Sequence, residues 1–139
     1  MDRILQTTLL ILIILIAALA RMMAVGWFYL FGVLTIPVFT LIHLKVHLNS
    51  RDYLAQKEQK NYLLILASHF LFLCLFFFQF EAGDSPPFTV LENVVGMKIQ
   101  FVNDYGLSIW LTSLIAYIYV STKIRKGARR FADNLSYQE

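Results

Sequence analysis

"NYLLILASHFLFLCLFFFQF", residues 61–80, decides the fold. From Tyr62 to Phe80 it holds no Asp, Glu, Lys or Arg, and six of its eleven last residues are phenylalanine. A helix needs about 20 mostly apolar residues to cross the hydrocarbon core of a bilayer. A helix apolar nearly all round faces lipid or sits in the middle of a bundle. The segment is therefore read as a membrane span.

Working outward, three further runs have the same character. They cover residues 4–25, 27–46 and 105–122, and with 62–80 they use most of the 139 residues. The chain is 58% hydrophobic and 15% charged, whereas soluble domains carry about 25% charged residues. The charges lie mainly between the runs. The expectation is a single all-α domain, an integral membrane four-helix bundle. "MDRILQTT" before "LLILIILIAALA" resembles a signal peptide. Its basic region is only Arg3 beside Asp2, so the run is read as a retained first helix.

Lys and Arg flanking spans favour the cytoplasmic side. The central loop carries Lys45, Arg51, Lys57 and Lys60, and the tail 123–139 carries Lys123, Arg125, Lys126, Arg129 and Arg130. The loop before the last span has Lys98 against Glu81, Asp84, Glu92 and Asp104. This bias predicts a multi-pass protein of the inner (plasma) membrane with both termini cytoplasmic. Arg21 in the first turn dissents, and is expected to snorkel to the outer headgroups.

Two connecting segments carry helix signals. Asn49 with Asp52 resembles an N-cap with an acidic third position, and "SRDYLAQKEQK" holds good helix formers. Thr89 and Glu92 form a T-x-x-E capping box. Leu91, Val95, Ile99 and Val102 follow at helical spacing, which predicts a short extracytoplasmic amphipathic helix over 88–102. Asn103, Asp104 and Gly106 are expected to break it from the last span. Ala20 with Ala24, and Ser108, Thr112 and Ala116, form small-residue stripes suited to helix contact in lipid.

Three histidines lie near the inner boundary. His43 and His47 are spaced i, i+4 and share a helix face. That spacing can hold zinc or copper given a further ligand, which His69 could supply. Against this, no Asp, Glu or Cys joins them, and His69 is expected a turn or so deeper than His43. The expectation is therefore no metal and no cofactor. His-x-Lys-x-His is read as the aqueous border, and His69 as a buried polar group bonded to Thr40. Cys74 is read as a small apolar residue.

No catalytic motif is present: no G-x-S-x-G, P-loop, H-E-x-x-H or Gly-rich nucleotide turn occurs. The expected function is a non-enzymatic tetraspan subunit that anchors, senses or relays for a multiprotein complex, with a bacterial stress or phage-defence setting by analogy. Its central loop and tail would hold anionic membrane lipid or a cytoplasmic protein partner. A homo-oligomer is expected, and no nucleic acid, since no aromatic platform interleaves with the tail charges. The alternative is an oligomeric channel or small transporter lined by His69, Thr40, Ser108 and Thr112.

Overall fold

A computed structural model describes residues 3–23, 29–56, 58–81 and 88–136. The described residues are helical apart from turns and one small ladder. The order is α1 (Arg3–Met23), α2 (Tyr29–Asn49), α3 (Arg51–Leu54), α4 (Gln59–Phe77), β1 (Phe80–Glu81), β2 (Phe88–Thr89), α5 (Val90–Val95) and α6 (Gln100–Ser136). β1 and β2 pair antiparallel, Phe80 with Thr89 and Glu81 with Phe88. Among the described residues, α1, α4 and α6 are long and apolar enough to cross a membrane. Ile4, Leu63, Phe70 and Ile115 are each at least 60% exposed on them, as lipid-facing residues are. The chain is a membrane-embedded helical protein.

The packing is layered. At one end Val46, Leu54, Ile65 and Ile124 bring α2, α3, α4 and α6 together. In the middle Ala17, Phe72, Leu75, Phe76 and Tyr117 join α1, α4 and α6. At the other end Ala20 of α1 and Val90 of α5 meet, with Phe77 against them. Trp110 donates its indole N–H to the Leu75 carbonyl at 3.0 Å, satisfying a polar group at the α4–α6 seam. The first end collects the start of α1, the end of α2, the start of α4 and the distal half of α6. Arg3 pairs with Asp52 at 3.0 Å there, and Tyr53 packs near Phe131. The N-terminal helix, the central loop and the C-terminal segment thus share one end.

Several expectations need correction. The last span and the tail are one helix of 37 residues, not a span followed by a tail. Asn103, Asp104 and Gly106 do not interrupt it. Gln100 donates to Asp104 at i+4, and distally Ile124 is fully buried. The amphipathic helix over 88–102 is split. α5 ends at Gly96, whose φ of 74° is the left-handed C-cap conformation, and α6 starts afresh at Gln100.

The Thr89–Glu92 capping box is present. The Asn49 cap is not: α3 is capped by Ser50 without a side-chain bond and spans a single turn. The buried stripe of α6 is Ser113, Tyr117, Ser121 and Ile124. Ser108 and Thr112 are exposed and Ala116 is half-buried. Where every face is apolar, hydrophobic contrast does not mark the inner one. Arg21 is fully buried rather than snorkelling, and Ala24 lies outside the described residues.

Candidate functional site

Between the first and middle layers lies a polar stratum. α2 contributes His43 and His47, one turn apart on its inward face. α4 contributes Ser68 and His69, and α6 contributes Tyr117. His43, His47 and His69 are 0%, 7% and 2% exposed. His43 Nε2 lies 3.0 Å from His69 Nδ1, and His43 Nδ1 lies 3.0 Å from the Tyr117 hydroxyl. His47 Nε2 lies 2.7 Å from Ser68 Oγ. The Ser68 hydroxyl donates to the Ile65 carbonyl at 3.2 Å, so its lone pair accepts from His47 Nε2–H. Phe72 stacks on the His43 ring at 4.1 Å, and His47 stacks on His69 at 4.6 Å. One ring nitrogen from each histidine lies within 4.8 Å of the other two.

This arrangement corrects several parts of the sequence reading. His69 is not a turn deeper than His43: helix offset between α2 and α4 brings their rings to hydrogen-bonding distance. His47 is not a border residue in water, because Ser68 and His69 cover it. The partner of His69 is His43 rather than Thr40, which is half-buried on α2. Nor are the four residues of the channel reading gathered. Ser108 and Thr112 line an outward groove with Leu71, Phe101 and Tyr105, while His69 points into the histidine stratum. Sequence reasoning missed Tyr117 and Ser68. The signal for them was available only as polar residues on spans, Ser68 next to His69 and Tyr117 within "IAYIYV".

The basic residues form a second feature, at the end where the start of α1 and the distal half of α6 flank α3. Lys45, Arg125 and Arg129 line a groove of about 450 Å³ between α2 and α6, with Asn49 and Ser50. On the other side of α6, Lys60, Lys123, Lys126 and Arg130 line a groove of about 770 Å³. Leu63, Leu64, Ala67 and Val120 give that second groove an apolar floor. Arg51 lines a narrow crevice between α1 and α2 that also reaches His47. Lys57 lies outside the described residues. Lys60 pairs with Glu58 at 2.5 Å, and Lys123 sits 4.9 Å over the Tyr119 ring. All these cations are exposed.

The fold and these two features define a membrane-embedded helical protein with a buried histidine cluster and a cationic end. No protein-family model matches the chain, and neither the curated proteins nor the solved structures contain a match.

Proposed function

We propose that the chain is a non-enzymatic subunit of a membrane complex, a four-helix bundle in the inner membrane with both termini and the central loop cytoplasmic. It binds anionic phospholipid and an acidic cytoplasmic partner at its cationic end, and so anchors or relays for the larger assembly. The bacterial stress or phage-defence setting belongs to this proposal only by analogy of size and topology.

The observation that carries the reading is the pair of cation-lined grooves flanking α6. Seven of the basic residues singled out by charge line them, drawn from α2, α4 and α6. Each Lys or Arg near an anionic surface contributes about 1 kcal/mol of attraction. In the α4–α6 groove the cations lie beside an apolar floor, the chemistry of a phosphate headgroup joined to an acyl chain. The shared end of the chain segments supports an even number of crossings, with α2 as the fourth. The Ser108–Thr112–Ala116 stripe, exposed at its first two residues and half-buried at the third, suits contact with a second copy.

The test compares full-length protein with a Lys60→Glu, Lys123→Glu, Lys126→Glu variant, both extracted in mild detergent. Co-purifying phospholipids and proteins are quantified by mass spectrometry. The variant is expected to lose most bound anionic phospholipid and its cytoplasmic partner. Full retention of both would sink the reading.

A further inference from the structure

We propose that His43, His47 and His69 form a binding site for a late first-row transition-metal ion, with zinc and copper the leading occupants. The inference is independent of the cationic grooves and stands on the geometry of the stratum. Three imidazoles within 4.8 Å of one another, contributed by two helices, form an all-nitrogen donor set. Imidazole suits zinc, copper, nickel and iron, while magnesium and calcium require oxygen ligands. Three protein ligands leave a further coordination position, as in open zinc sites.

The surroundings have the form of an outer shell. A ligating histidine usually directs its other ring N–H to a fixed acceptor, which sets the tautomer and ring orientation. His43 directs Nδ1 at Tyr117, leaving Nε2 for the ion. His47 directs Nε2 at Ser68, leaving Nδ1. His69 turns Nδ1 towards His43 Nε2, into the same space. Neighbouring nitrogens on a tetrahedral zinc, with bonds of 2.0–2.1 Å, are about 3.3 Å apart. The cluster reaches that spacing through ring tilts and shifts of roughly an ångström. Binding replaces the His43–His69 hydrogen bond and separates the stacked His47 and His69 rings, so that three lone pairs converge. His69 then carries its proton on Nε2. Among the described residues no carboxylate joins the three histidines in the cluster. A small anion such as hydroxide at the open position therefore offsets part of the charge. The crevice that reaches His47 past Gln6, Thr7 and Arg51 is the way in from the cationic end.

The experiment uses the full chain with an affinity tag free of histidine. Protein is purified from cells grown with added zinc or copper, and metal is measured by plasma mass spectrometry. Stripped protein is then titrated with Zn²⁺, Cu²⁺ and Co²⁺. The expected result is near-equimolar metal and the intense visible bands of tetrahedral Co²⁺. Zn²⁺ or Cu²⁺ should also raise the thermal midpoint of the wild-type protein. A His43→Phe, His69→Phe pair should abolish all three responses. Tyr117→Phe keeps the ring and removes the acceptor, and should weaken affinity 10–100-fold while still binding. If the wild type takes up no metal and gains no thermal stability, the proposal is overturned. The same holds if metal is bound equally by the His43→Phe, His69→Phe variant. The wild-type measurements decide even if that variant fails to fold.

Discussion

The Glu92 carboxylate is buried at 4% exposure, yet it is well satisfied. It accepts from Thr89 N–H at 2.9 Å and from Ile99 N–H at 3.0 Å, and from the Thr89 hydroxyl at 3.2 Å. These bonds close α5 at its start and pin the turn that leads into α6. Glu92→Ala leaves the buried Thr89 N–H and the part-buried Ile99 N–H without that acceptor, and should destabilise by roughly 1–4 kcal/mol, since a fully buried orphan costs about 1–3 kcal/mol and a partly buried one less. Glu92→Gln keeps an acceptor oxygen and should fall between. Thermal unfolding in detergent checks the order. The Arg3–Asp52 pair offers the contrast. Both side chains are about 60% exposed, so Asp52→Asn should shift stability by less than about 1 kcal/mol. A large loss would show that this pair, not the packing beneath it, holds α3 in place.

Among the elements, α3 is one turn long and cannot stand alone, because short helices are marginal without packing. It is held by Leu54 in the end layer, by Asn61 Nδ2 donating to the Tyr53 carbonyl at 2.9 Å, and by Tyr53 lying over Gly127 of α6. A Cβ on Gly127 would overlap the Tyr53 ring. Gly127→Ala should therefore displace Tyr53 and loosen α3. α6 itself should persist, because Ala favours helix over Gly by about 1 kcal/mol. Hydrogen exchange should rise over residues 51–56 and stay unchanged over 113–124. Unchanged exchange at 51–56 would mean that Tyr53 does not secure the loop.

At the scale of the whole molecule, an even number of crossings puts both termini on one side. Epitope tags at the two ends should both be shielded from protease in intact spheroplasts and cut after lysis. Opposite responses would remove α2 from the set of spans. How far the sequence disclosed this molecule varies with the kind of information involved. The spans expected at 62–80 and 4–25 were legible in kind, as Gln59–Phe77 and Arg3–Met22, because long, nearly uncharged runs leave a chain few alternatives; the first stops at Phe77, and residues 24 and 25 lie outside the described ones. The Thr89–Glu92 cap was legible because it is local. The end of α6 was not, since Ile124 reveals its buried position only once α3 has packed beside it. The histidine stratum was half legible. The i, i+4 pair is visible in one helix, but the height of His69 depends on the axial offset between α2 and α4. No single-helix pattern encodes that offset. Tyr117 reaches the cluster through a third helix and was hidden for the same reason.

α6 runs unbroken for 37 residues, about 55 Å at 1.5 Å per residue. The hydrocarbon core is only about 30 Å thick, so some 25 Å of stiff rod stands clear of it. Bilayers of different thickness change the tilt of a spanning helix. With no joint between its two halves, a 5° tilt sweeps the protruding end sideways by about 2 Å, for a lever of about 25 Å. Arg125, Arg129 and Arg130 ride on that arm. A change of membrane thickness that tilted α6 would therefore carry this positive charge cluster, and the α3 turn packed against it, sideways with the helix.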